Sequence, residues 1–427
     1  MKTKLLIFGI TGDLGTRKLL PALEQILKTG DFEELTVIGV SRNEVDQSKL
    51  FTFCDDQHFL DGKLSIYAMD LNNPDEYKKL KGYVSLSDDE QLLIYMAVPP
   101  LVTAQMVEYL GQAGLNAPNI KILFEKPFGV DLDSAEKLIE QTASHYREEQ
   151  IYRIDHYLAK EMAQNVVAFR GRNALFSDVW DNNFIESISI TAAQKIDIEG
   201  RAHFYEQTGA LRDIVQGHLM QLLALVLMDI PSEFEWDQVP QLRLMALDQL
   251  NSSNPNEALR GQYEGYKDEV SNPNSKVETF VSLKLSSRQD RWLGVPITLT
   301  SGKALSEAKT EIRVKLKSND GAKSNCLVFN IQPNEGIEIE LFVKKPGYGR
   351  TFETQHLNFN YPENTRLPDA YEQVIVDAIS SQKSLFTSSG EVLQSWRILQ
   401  PLQDSWNSAS ESPKLYPKGS DISSILA

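Results

Sequence analysis

Apolar residues in the first third of the chain fall in short, nearly continuous runs separated by amphipathic stretches. Residues 4–8, 35–40, 91–98 and 119–124 read as buried strands, the third stopped by Pro99 and Pro100. Residues 18–29, 102–113 and 132–146 carry helical spacing between them. Strands that alternate with helices predict a parallel sheet with helices on both faces.

The pattern changes beyond residue 150. Residues 185–192, 278–285, 297–301, 311–317, 326–332 and 336–344 alternate as strands do, without full-length helices between the later ones. A large, mainly antiparallel sheet is expected there, with helices at 212–228 and 369–380 covering one face. The polar stretches 251–274 and 408–423 read as loops or tails. At 427 residues the chain exceeds one average domain. The expectation is an α/β domain over 1–150 and an α+β domain over 151–427.

A net charge of −16 argues against nucleic acid or an anionic membrane as partner, while leaving local Lys and Arg free to bind a phosphorylated metabolite. Cys54 and Cys326 have no metal-ligand spacing and suit a reducing compartment, so no metal and a cytoplasmic location are expected. The apolar run at residues 5–8 is too brief for a secretory signal, and no run approaches the ~20 apolar residues of a membrane span.

The first strand leads into Gly9, Gly12 and Gly15 and then a helix, which is the arrangement of a Rossmann-like dinucleotide cradle. Glycines there let the backbone approach a pyrophosphate. Gly9-Ile10-Thr11-Gly12 lacks the central glycine of G-x-G-x-x-G, so by spacing alone a structural tight turn is equally consistent. The second strand is followed by Arg42, which suits a 2′-phosphate and favours NADP. Glu44, two positions on, keeps NAD open.

The segment YRIDHYLAKEM sets Asp155 and His156 where a strand gives way to a helix, with Tyr157 and Lys160 in the first helical turns. Such a cluster suits a site that binds an anion and moves a proton. His218 shares a helical stripe with Leu211, Ile214 and Leu222, so it should be buried. That leaves two readings, a satisfied core histidine or a general base held by a carboxylate such as Asp155.

The segments FGITGDLGTRKLLPAL, YMAVPP, EKPFGVDLDSAEKL, YRIDHYLAKEMAQN, the stretch from IEGR to HLMQLL, SGKAL, PDAYE and SWRILQPL occur in one order and spacing. Through them the chain resembles the glucose-6-phosphate dehydrogenase family over nearly its whole length. The resemblance implies NADP-dependent oxidation of glucose 6-phosphate at C1 to 6-phosphogluconolactone, the first step of the oxidative pentose phosphate pathway, and a homodimer. It implies that His218 is the base, oriented by Asp155, and that His156, Tyr157 and Lys160 hold the phosphate. Asp213 would bind sugar hydroxyls, and Lys18, Lys126 and Lys303 would contact cofactor or sugar. Gly9, Thr11, Gly12, Asp13, Leu14, Arg42 and Pro99 complete the implied cofactor site. Pro127 would shape it, a cis peptide being one way to do so.

Several positions depart from the family pattern. Gln194 replaces the usual sugar-contacting Glu, Ala308 a common basic residue (with Lys309 adjacent), Gly217 the usual Asn and Ala159 a Gly. The C-terminal YPKGS lacks the expected Trp-Gly-Pro continuation, and the chain is shorter than typical members. An amide at 194 adds donors where a carboxylate only accepts. Another hexose phosphate, NAD, or a non-catalytic nucleotide-binding role are therefore the alternatives to weigh.

Overall fold

The computed structural model describes residues 2–51, 58–318, 323–362 and 364–427, so Cys54 lies outside the described residues. The anticipated strands of the first third form as β1 (Lys2–Phe8), β2 (Leu35–Ser41), β4 (Glu90–Met96) and β5 (Ile120–Phe124), joined by β3 (Leu64–Ala68) and followed by β6 (Ile151–Ile154). They lie in the order β6-β5-β4-β1-β2-β3, all neighbours parallel. Their near-continuous burial explains the unbroken apolar runs, because both faces are covered by helices. Strand order reverses between β1 and β4, so the ligand crevice of this doubly wound sheet opens above their C-terminal ends. β3 was not foreseen, since LSIYA is only partly buried and short.

The second sheet contains β7 (Ile185–Ala193), β8 (Ala258–Tyr263), β9 (Phe280–Leu285), β10 (Ile297–Gly302), β11 (Lys309–Leu316), β12 (Cys326–Gln332), β13 (Gly336–Lys344) and β14 (Phe352–Asn360). Its order is β14-β13-β12-β11-β7-β10-β9-β8, with a last strand described below at the β8 edge. Pairing is antiparallel except for β7 with β10 and for that edge strand.

Three expectations need correction. A boundary at residue 150 cuts the first sheet, because fully buried β6 adds to β5 and β15 (Phe386–Thr387) pairs antiparallel with β6. The helix Ala370–Ile379 packs in the core of the first sheet with Leu23 and Ile7, not on the second sheet. The helix at Met220–Leu227 does cover the second sheet, in one core with Ile188, Leu283 and Ile312. The stretches read as loops contain β8 and β16 (Lys414–Tyr416), which pair parallel at the sheet edge. Gln262 and Tyr263 are buried there, so polar flanking residues concealed a strand.

Ala202–Leu227 is also one helical run long and apolar enough by composition to cross a membrane, but 83% of its most apolar window is buried inside the fold. It is a core helix.

Candidate active site

The residues singled out in YRIDHYLAKEM sit just beyond β6, at the C-terminal edge of the nucleotide sheet. The expected helix starts later than foreseen, at Glu161, and Lys160 is its extended N-cap; Tyr157 lies in the turn before it. Asp155 is 1% exposed and its Oδ1 accepts the backbone N–H of Tyr157 at 2.9 Å. The same oxygen meets His218 Nδ1 at 2.7 Å. An ionised carboxylate can only accept, so Nδ1 carries the hydrogen and Nε2 remains to take a proton.

His218 arrives on a wide turn. Leu211–Leu219 winds as a π-helix between the helices Ala202–Ala210 and Met220–Leu227. Bonds from residue i to i+5 stack Asp213 near His218, a geometry common at functional sites. The start of this segment is fastened by Glu278, whose Oε1 accepts the Leu211 N–H at 2.9 Å. The Tyr157 ring stacks on the His218 imidazole at 4.1 Å, and His156 meets it edge-on at 4.4 Å. The Tyr157 hydroxyl lies 3.4 Å from Gln332 Nε2, a partner the sequence did not suggest.

Burial opposes ionisation of Asp155, but His218 and Lys126 outweigh it and hold the carboxyl well below the usual carboxylate range. Burial likewise lowers His218 despite the facing carboxylate, with Lys126 pushing the same way. Burial and the neighbouring His218 push His156 down to about 3. The pair therefore rests as a carboxylate and a neutral imidazole, which is the state a general base requires.

Two lysines flank Asp213. Lys126 donates from Nζ to the Asp213 carbonyl at 3.1 Å, and the Lys126–Pro127 peptide is cis. Lys303, 1% exposed, donates to Gln194 Oε1 at 2.7 Å. Parallel β7 and β10 place these two together, since Ala193 and Gly302 are register partners and each residue follows its strand. Burial lowers the Lys303 ammonium, with Asp213 opposing. Lys309 was a candidate substitute for the basic residue missing at Ala308. Its ammonium is instead held by Glu307 at 3.0 Å and Glu311 at 3.4 Å.

In the crevice at the C-terminal ends of β1, β2 and β4 lies a cavity of ≈ 420 Å³ lined by Gly9, Thr11, Gly12, Arg42 and Pro99, all foreseen. Asp70 and Asn72 line it too and were missed, because they follow the unforeseen β3. Gly9 has φ +82°, and a Cβ there would run into the Ala97 carbonyl oxygen. Leu14 packs against the first-sheet core, while exposed Asp13 pairs with Arg17 at 2.8 Å. Lys18 lines a separate, smaller cavity and approaches Asp369 at 3.4 Å.

Residues 6–165 match the glucose-6-phosphate dehydrogenase NAD-binding domain, and residues 167–424 match the glucose-6-phosphate dehydrogenase C-terminal domain. A glucose-6-phosphate 1-dehydrogenase of Chlamydia muridarum is 33% identical over 94% of this chain and 90% of its own. A solved glucose-6-phosphate dehydrogenase in complex with glucose 6-phosphate is 29% identical, covers 100% of this chain and 97% of its own, and superposes with a TM-score of 0.92. For the glucose-6-phosphate 1-dehydrogenase structure from Mycobacterium avium the identity is 31%, the coverage 98% and 94%, and the TM-score 0.87. With both domain matches spanning the nucleotide cavity and the Asp155–His218 pair, the chain belongs to the glucose-6-phosphate dehydrogenase family.

Proposed function

We propose that the protein oxidises glucose 6-phosphate at C1 to 6-phosphogluconolactone with NADP as acceptor. The observation that carries this reading is the buried Asp155–His218 pair at the same C-terminal edge of the parallel sheet as a glycine-walled cavity. His218 Nε2 takes the proton of the C1 hydroxyl, and Asp155 stabilises the imidazolium that forms. NADP, when bound, accepts the hydride that C1 loses. Gly9, Thr11, Gly12 and Pro99 would hold it, since they line the cavity at the end of β1 and the glycines let the backbone approach a pyrophosphate. Arg42 in the cavity wall supports a 2′-phosphate.

Asp213, Lys303 and Gln194 converge where sugar hydroxyls would bind. Neutral His156 offers a hydrogen bond to the phosphate, and Lys160 supplies the positive charge. The loss of a cation at Ala308, with Lys309 occupied by two glutamates, weakens this grip without removing it.

We also infer a homodimer through β13 and β14, an edge hairpin exposing Phe352 (73%), Leu357 (57%) and Phe359. Cysteine usage and charge support a cytoplasmic location.

Steady-state rates on a panel of hexose phosphates with NADP and NAD test the reading. Glucose 6-phosphate with NADP should give the highest kcat/KM. Turnover of a different sugar phosphate with none of glucose 6-phosphate would overturn the substrate; higher kcat/KM with NAD would overturn the cofactor.

A further inference from the structure

Gly217 stands one residue before His218 in the middle of the π-helix, and its backbone is ordinary helix rather than a positive-φ turn. Conformation therefore does not require glycine there. Helix stability argues against it, because glycine in a helix interior is unfavourable relative to alanine. What the glycine provides is space. A Cβ on residue 217 would overlap Lys126 Nζ, stand 2.5 Å from Lys126 Cε and lie 3.3 Å from its Cδ. The lysine tail lies across the helix in that slot, and its ammonium reaches the Asp213 carbonyl at 3.1 Å.

We propose that Gly217 is a positioning residue whose missing side chain forms the slot that holds the Lys126 ammonium against the π-helix, within the electrostatic reach of Asp155 and His218. The inference rests on the reading of His218 as the base. From the slot Lys126 acts on Asp155, Asp213 and Glu125. The groups facing His218 are Asp155, Lys126 and Asp213 by charge, and His156 and Tyr157 by ring contact. Among these, a residue-217 side chain would displace Lys126. Because the displaced atoms are the far end of a flexible side chain, the fold should survive the substitution.

The experiment is a cycle of Gly217→Ala, Lys126→Met and the double variant, with thermal unfolding, kcat and KM, kcat against pH, and a crystal structure of Gly217→Ala. Gly217→Ala should unfold no lower than the wild type and lose about tenfold to a hundredfold in kcat, the scale of a ~1 Å misplacement. Its acid limb should move to higher pH, because a displaced ammonium no longer repels the imidazolium. In the Lys126→Met background the same change should have no further effect. Equal losses in both backgrounds would overturn the proposal, as would an unchanged kcat in Gly217→Ala. A crystal structure with Lys126 Nζ still bonded to the Asp213 carbonyl would overturn it whichever sugar phosphate is turned over. A wrong substrate would instead leave that structure and the unfolding data as expected.

Discussion

His218 and Asp155 are 63 positions apart in the chain and meet at 2.7 Å, Nδ1 against Oδ1. The contact joins the end of β6 in the nucleotide sheet to the π-helix that runs beneath the second sheet. It orients one imidazole so that a single ring nitrogen is left for chemistry.

Asp155→Asn should therefore keep the fold and lose the base. The amide retains the size of the carboxylate but cannot stabilise an imidazolium, so kcat should fall by about 10²-fold or more, within the range for general-base catalysis. Circular dichroism would show native secondary structure while stopped-assay rates report the loss. Wild-type kcat in the variant would remove Asp155 from the mechanism.

Acid should destabilise the protein through buried His218 and partly buried His156. His156 is lowered from 6.5 to about 3 and His218 is lowered too, both first by burial. The unfolded chain then binds protons first, so stability present above pH 6.5 is lost as pH falls from there, for His156 down to about 3. Asp155, held below 3.8, contributes in the same direction at lower pH. Each such histidine adds up to about 1.4 kcal/mol per pH unit to the slope. Urea unfolding of His156→Gln between pH 6.5 and 4 should give a shallower slope than the wild type. Equal slopes would count against a neutral His156.

Gln194→Glu should tighten the sugar side of the site. A carboxylate facing Lys303 turns a hydrogen bond between an ammonium and an amide into an ion pair while offering an acceptor to the sugar. A gain of about 1 kcal/mol corresponds to a KM for glucose 6-phosphate lower by about fivefold, with kcat little changed. A raised KM would mean that the amide donors of Gln194 contact the substrate.

Arg42→Ala should discriminate between cofactors. Loss of a charge-assisted contact worth about 1.5–3 kcal/mol would raise KM for NADP by roughly 10- to 100-fold and leave KM for NAD nearly unchanged. Parallel increases for both would place Arg42 away from the 2′-phosphate.

Leu357→Glu on the exposed face of β14 should shift the mass measured by light scattering from two chains to one, and lower the unfolding temperature by whatever association contributes. A wild-type protein that scatters as one chain at all concentrations would dismiss the dimer.

Much of the nucleotide half was legible in sequence. The runs at residues 35–40 and 91–98 are apolar on both faces, and Gly9 and Arg42 follow strands at their C-terminal ends, where ligands of such sheets bind. β3 escaped because its residues are only partly buried, and with it went Asp70 and Asn72. The β8 and β16 edge was hidden by polar neighbours, since Arg260 and Gln262 break the apolar run in β8 and β16 is only three residues long.

Local chemistry by itself determined the strands, the glycine turn, the burial of His218 and the crowding of Asp155, His156 and Lys160, because hydrophobic period and residue type act over a few positions. The tertiary structure decided what those groups face. It set Gln194 against Lys303 across two parallel strands, returned residues 370–387 to the first sheet, and laid the Lys126 tail in the space beside Gly217. These contacts join residues 87 to 109 positions apart or more, as at Lys126 with Asp213 and Lys303 with Gln194. Pairing of strands distant in the chain, and packing of a sheet against another element, bring such residues together, and no periodicity along the chain encodes that distance.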